Sequence, residues 1–249
     1  GFTGTTTLSG GTAGIDILTG SNGAFTFGAN TSIAGRTAAA FVVSGDNTNT
    51  PSVTYSGTIV NTTDDVIRIE NTGAGGTITF DGLAFDAITD TGTGVFLNSV
   101  GSTVNFTADM ELTGSEGIDI NGGSGTFTFT DTDINTMGVS FDINGGTSSV
   151  NFLTGSTIMQ ASASAALSVM DHDMGTLDFD GDITATLGTG LVFNNSDGIY
   201  SIDGMTIFTG GGGIDIVNGS SGIFIFGTTS ITGATGNAID IRSEEHTSE

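Results

Sequence analysis

The sequence lacks cysteine and tryptophan, has a single proline, and contains only three basic residues, Arg36, Arg68 and Arg242, in 249 positions. The absence of cysteine excludes disulfides, thiolate metal sites and a cysteine nucleophile. The 27 acidic residues give a formal net charge of −24. Because nucleic acids and anionic membranes attract basic patches, neither is expected as a partner of this segment. No apolar run approaches the roughly 20 residues of a membrane-spanning helix.

Glycine and phenylalanine are abundant, with 42 and 17 copies, and hydrophobic residues make up 36% of the chain. Disordered chains are poor in apolar residues, so this content indicates a packed core. The tetrapeptide Gly-Ile-Asp-Ile occurs at residues 14–17, 117–120 and 213–216. A glycine-rich turn and an alternating segment, such as Phe-Thr-Phe at 127–129, follow it. The chain is therefore built from a repeated unit.

Three columns of apolar positions share one period of about 25 residues. The first is Ile17, Val43, Ile69, Leu97, Ile120, Ile143, Val169, Phe193, Ile216 and Ile241. The second is Phe27, Tyr55, Phe80, Phe106, Phe129, Phe152, Phe179, Ile202 and Phe226. The third is Leu8, Ile33, Ile59, Leu83, Met110, Ile134, Ile158, Ile183, Ile207 and Ile231. Apolar residues alternate with polar ones within each unit, as in strands with one buried face.

These columns predict an all-β fold: a parallel β-helix (solenoid) of about ten coils, each with three strands. One such domain covers residues 1–241. A right-handed coil is the default expectation from the general crossover rule, and the sequence itself does not fix the handedness. A bladed or sandwich architecture is the alternative, disfavoured because antiparallel folds rarely repeat one unit of this length. Alternation directs the phenylalanines inward, where they stack as core. An asparagine ladder is predicted from Asn71, Asn98, Asn121, Asn144 and Asn194, which follow the first strand of successive units.

Residues 242–249 break the repeat abruptly and hold one of the three arginines and one of the two histidines. They resemble the in-frame translation of a DNA-sequencing adapter, so we interpret this tail as non-native. The chain is then expected to be a fragment, of the kind found in metagenomic data, with uncapped coils at both ends. Uncapped coils of a solenoid tend to associate end to end.

Acidic side chains form the only candidate sites for a ligand. Asp119 with Asp142, and Asp215 with Asp240, are predicted to lie outward on adjacent coils. The densest cluster includes Asp178, Asp180 and Asp182, which raises the hypothesis of a Ca²⁺ site because hard cations favour clustered carboxylates. A solvated acidic face is the preferred interpretation. No other metal, cofactor or catalytic residue is predicted.

Catalytic motifs are missing from the repeats. No Gly-x-Ser-x-Gly surrounds a serine, His172 is the only histidine before the tail, and no lysine is present for a phosphate loop. A fragment of a β-helix enzyme that degrades polysaccharides, a lyase or a hydrolase, is the enzymatic alternative. It is disfavoured because only Arg36 and Arg68 remain to bind an acidic substrate. We expect no enzyme activity.

A column of outward threonines raises ice binding as a third, weaker possibility. The column contains Thr26, Thr54, Thr79 and Thr128, but Asn105, Asn151, Asp178, Ser201 and Ile225 fall in the same column and interrupt it. Threonine is also a good strand former, which explains its frequency without a ligand.

The Gly-Ile-Asp-Ile and Phe-Thr-Phe units resemble the β-strand repeats of very large bacterial surface and secreted proteins. These include autotransporter passenger domains and filamentous, adhesin-like β-helices. The resemblance covers residues 1–241 and implies an extracellular or cell-surface, outer-membrane-associated location. The expected function is a structural or adhesive segment. Flanking repeats of the same chain are its expected partners, together with an unidentified host-surface or carbohydrate ligand.

Overall fold

The computed structural model describes residues 1–60, 63–82, 85–87 and 91–242, and all regular structure there is β-strand. Every strand pair is parallel. The strands stack as a β-solenoid of about nine turns with three sheets. This confirms the predicted fold class. Of the predicted tail, only Arg242 lies within the described residues. Leu83 of the third column lies outside them.

Sheet I is a separate ten-stranded sheet that contains the first strand of each coil. Its strands are β2 (Ile15–Ile17), β5 (Phe41–Ser44), β8 (Ile67–Glu70), β11 (Thr93–Asn98), β13 (Glu116–Asn121), β15 (Phe141–Asn144), β18 (Ala165–Met170), β21 (Gly190–Asn194), β24 (Gly213–Val217) and β27 (Ile239–Ile241).

Sheet II contains the second strand of each coil. Its strands are β3 (Ala24–Phe27), β6 (Ser52–Tyr55), β9 (Thr77–Phe80), β12 (Thr103–Leu112), β14 (Thr126–Ile134), β16 (Ser149–Phe152), β19 (Thr176–Phe179), β22 (Ile199–Ile202) and β25 (Ile223–Phe226). β12 and β14 are long enough to continue through the corner into the third sheet. They join sheets II and III into one hydrogen-bonded network of 17 strands.

Sheet III contains the third strand of each coil, including the second halves of β12 and β14. Its other strands are β1 (Thr6–Ser9), β4 (Thr31–Ala34), β7 (Thr58–Val60), β10 (Phe85–Ala87), β17 (Thr157–Gln160), β20 (Asp182–Ala185), β23 (Thr206–Phe208) and β26 (Thr229–Ile231).

The core is a stack of aromatic rings inside the coil, as predicted. Phe80, Phe106, Phe129 and Phe152 are all fully buried. Successive ring centroids lie 5.1, 4.8 and 4.5 Å apart, and the ring planes are within 12° of parallel. The next ring, Phe179, is tilted by 42° at 4.8 Å. Because neighbouring strands are about 4.8 Å apart, a phenylalanine repeated in register stacks without adjustment of the backbone.

The corner after sheet I is made by a column of residues in the left-handed conformation. It contains Asn71, Ser99, Gly122, Gly145, Asp171, Asn195 and Asn218, with φ between 50° and 77°. The backbone N–H groups of the first six donate to the coil above, as Asn71 does to the carbonyl of Asn98 at 2.9 Å. Asparagine, aspartate and glycine are the residues that tolerate this conformation, which explains their recurrence.

The predicted register is wrong in the asparagine ladder and at several positions of the third column, where Met110 pairs with Thr132 and Leu112 pairs with Ile134. Asn71 does not belong to the asparagine ladder, because Asn98 pairs with Glu70 and Asn71 occupies the corner instead. Met170 also interrupts the ladder, since it pairs with both Asn144 and Asn194. In the third column Ile207 points outward, because the coil has one residue fewer before β23 and Thr206 pairs with Ile183. Thr206 therefore takes the place opposite Ile183, and Phe208, which pairs with Ala185, also points inward; both are buried.

Candidate functional site

The outer face of sheet I has a column of side chains directly above one another, and its middle part is acidic. Asp119 pairs with Asp142 on the adjacent coil, and Asp215 pairs with Asp240 near the last coil. Both pairings confirm the predicted register. Asp240 differs from the others because Arg242 forms an ion pair with it.

Asp119 is held in an environment that disfavours its charge. Its Oδ2 accepts a hydrogen bond from Asn121 Nδ2 at 3.0 Å, whereas its Oδ1 is buried and accepts none. Burial, followed by the charges of Asp142 and Glu116, raises the pKa of Asp119 to about 6. Burial also raises the pKa of Asp142, although a hydrogen bond from Ser168 opposes the shift.

A cavity of about 200 Å³ lies beside this pair and is lined by Glu116, Asp119, Val139, Asp142, Ser168 and Met170. Small-molecule sites usually have volumes of about 300–1,000 Å³. The space is therefore sufficient for a few waters or an ion but restrictive for a sugar chain.

The second acidic cluster lies on the outer side of sheet II. Carboxylate oxygens of Asp178, Asp180 and Asp203 lie within 4.8 Å of one another. Burial and the charges of Asp180 and Asp203 raise the pKa of Asp178. The structure thus brings together two residues of the predicted Ca²⁺ site, Asp178 and Asp180, and adds Asp203 in place of Asp182. Asp182 instead accepts a hydrogen bond from the backbone N–H of Met205 at 2.9 Å.

The sequence analysis did not predict Asp203 as a member of this cluster, although the second column of apolar residues indicates its position. Phe179 pairs with Ile202, so the residues that follow, Asp180 and Asp203, are also neighbours on adjacent coils. Three carboxylates form a donor set that Ca²⁺ accepts. The Ca²⁺ site stays a prediction, and isothermal titration with Ca²⁺ tests it.

The two arginines before the tail are both engaged in contacts, Arg36 with a neighbouring coil and Arg68 within its own coil. The Arg36 guanidinium is buried and donates to the carbonyl of Gly10 one coil below. Arg68 Nη2 lies 2.5 Å from Oδ2 of the buried Asp65, and Arg68 also pairs with Glu70 at 3.2 Å. Both side chains therefore have structural partners.

His172 is fully buried at the corner after sheet I. Its Nε2 lies 3.1 Å from the carbonyl oxygen of Ser148, and its Nδ1 lies 3.2 Å from the hydroxyl of Tyr200. Burial lowers the pKa of His172. These contacts connect three successive coils, and the ring has no access to solvent.

The threonine column on sheet II is interrupted as the sequence predicts. Its members are, in register order, Thr26, Thr54, Thr79, Asn105, Thr128, Asn151, Asp178, Ser201 and Ile225. The charge of Asp178 and the apolar side chain of Ile225 break the regular hydroxyl array. The arrangement does not favour an ordered water layer over this face.

No protein-family model, curated protein or solved structure gives a significant match to this chain. Within the residues that the structure describes, no helix has the length and apolarity needed to cross a membrane.

Proposed function

We propose that the chain is a structural and adhesive segment of a large secreted or surface-anchored bacterial protein. The continuous core is the observation that carries the proposal. From Ile17 to Ile216 one cluster of buried apolar residues runs through the coils. A solenoid filled in this way holds its outer columns at fixed spacing, which suits a spacer with a repetitive surface.

The extracellular bacterial location rests on the repeat resemblance and on composition. An acidic chain without cysteine or lysine remains soluble and does not depend on redox conditions. The outer faces carry carboxylates and amides, the groups that hydrogen-bond carbohydrate hydroxyls. A carbohydrate or host-surface glycan is therefore the proposed ligand class, and further coils of the same chain are the proposed neighbours.

Immobilised glycans and host-cell surfaces test the adhesive role. The chain is expected to be retained without any chemical change to the glycan. A matched variant with Asp178, Asp180 and Asp203 replaced by asparagine keeps the size and fold of the face but removes its charge, and reveals whether this cluster takes part. If the folded chain binds no surface in the panel, the adhesive role is refuted and only the spacer role stands.

Polysaccharide hydrolysis is a second candidate, favoured by one observation. Asp119 has a pKa of about 6, and Asp142 lies next to it on the adjacent coil. Glycosidases use such pairs, in which one carboxyl is protonated and the other is ionised. The 200 Å³ cavity argues against a bound sugar chain. Release of reducing ends from pectin or alginate, lost in Asp119→Asn, would replace the structural proposal by this one.

A further inference from the structure

Asp119 and Asp142 are half-buried, in register and in one cavity. Asp215 and Asp240 share these three features, but Arg242 forms an ion pair with Asp240. The charged groups that act on Asp119 are Asp142, Glu116 and Asp65, all of which are acidic. Like charges directly opposite each other across neighbouring strands destabilise the pairing of those strands. With both carboxylates ionised, the contact between β13 and β15 is therefore weakened.

The hydrogen bonds around Asp119 indicate a missing donor. Asn121 satisfies Oδ2, but Oδ1 is buried without a partner. A buried polar atom left unpaired is costly, and more so when the group is charged. A proton on either carboxyl removes one charge and supplies a donor to the pair.

We propose that Asp119 and Asp142 form a proton-operated joint between two coils of the solenoid. At mildly acidic pH they share one proton, and β13 and β15 are held together. At neutral pH both carboxyls are ionised and the joint is loosened. The proposal concerns the stability of the rod and does not rest on the adhesive role.

Among the residues that the structure describes, the elements packed against the pair place no basic side chain in contact with either carboxyl. On β11 of the preceding coil, Phe96 pairs with Asp119. Beyond it, Arg68 of β8 lies over the Phe96 ring and pairs with Asp65 and Glu70. On β18, Ser168 is next to Asp142 and is uncharged. Glu116 of β13 adds negative charge. The raised pKa of Asp119, about 6, agrees with this arrangement.

The test compares the wild type with Asp119→Asn by thermal unfolding at pH 5 and pH 7.5. Asparagine keeps the shape and the hydrogen bond with Asn121, so the variant is expected to fold. Asp16→Asn is the matched control, because Asp16 lies in the same Gly-Ile-Asp-Ile tetrapeptide but is exposed and pairs with Val42. When the pH is raised from 5 to 7.5, the Tm of the wild type and of the control is expected to fall by about 5 °C more than the Tm of Asp119→Asn.

Carboxyl ¹³C chemical shifts provide a readout independent of folding stability. Asp119 in the wild type is expected to titrate with a midpoint near its pKa of about 6, and Asp142→Asn is expected to lower that midpoint. The joint is refuted if Asp119 titrates near the ordinary value of 3.8. It is also refuted if Asp119→Asn keeps the pH dependence of the wild type.

Discussion

Truncation of one ring in the aromatic stack is a direct test of what holds the coils together. Phe129 is fully buried, and its ring centroid lies 4.8 Å from that of Phe106 and 4.5 Å from that of Phe152. A buried Phe→Ala change usually costs about 3–5 kcal/mol. The hydrogen-bond ladders fix the spacing of the coils, so the two neighbouring rings cannot close the gap. We therefore expect a loss of about 4–5 kcal/mol for Phe129→Ala.

Urea unfolding of three variants separates packing from strand propensity. Phe129→Leu retains most of the volume and is expected to lose about 1–2 kcal/mol. Thr126→Ala lies on the same strand but is exposed, and is expected to change the free energy of unfolding by less than about 0.5 kcal/mol. Native-state hydrogen exchange locates the effect, because each coil of a solenoid contacts only its neighbours.

In Phe129→Ala, amides of β12, β14 and β16 are expected to lose more protection than those of the distant β24. A loss below about 2 kcal/mol, or an equal loss of protection in all coils, would refute the argument. The first result would mean that the stack relaxes around the gap. The second would mean that the solenoid unfolds as a single cooperative unit.

Three further predictions concern charged and titratable groups. Arg68→Met removes the ion pair with the buried Asp65 carboxylate and is expected to lower the free energy of unfolding by about 2–3 kcal/mol. This is the low end for a buried pair because Arg68 is partly exposed. An unchanged urea midpoint contradicts the prediction. Because burial lowers the pKa of His172 below 6.5, the stability of the wild type is expected to fall as the pH decreases below 6.5. His172→Gln is expected to remove that dependence. Coincident pH profiles of the wild type and the variant contradict this. Asp203→Asn is expected to lower the titration midpoint of Asp178 in carboxyl ¹³C spectra, and an unchanged midpoint contradicts this.

The fold could be predicted from the sequence because each inward column carries two independent signals. Alternation along a strand identifies the buried face, and the period of about 25 residues identifies the stacked partner. Phe106, Phe129 and Phe152 satisfy both, and the structure stacks them in that order. A parallel solenoid is the arrangement that uses both signals at once.

The details that could not be predicted depend on turn lengths, which vary from coil to coil. The turn before β23 is one residue shorter than the column spacing implies, which places Thr206 and Phe208 inward instead of Ile207. The burial of Asp119 could not be predicted from the sequence either. Gly-Ile-Asp-Ile occurs three times, yet only a three-dimensional neighbourhood shows that Asp16 is exposed and that Asp119 is half-buried.

The titrations of Asp119 and His172 act on stability in opposite directions over overlapping pH ranges. The raised pKa of Asp119 means that the folded state binds a proton more tightly than the unfolded chain, so its contribution to stability increases as the pH falls from 6 towards 3.8. The lowered pKa of His172 has the reverse consequence, since the unfolded chain takes up the proton first as the pH falls below 6.5. A flat pH profile of the wild type would therefore not mean that neither group titrates. The two lie on different coils, so their effects are expected to add, and single variants separate them.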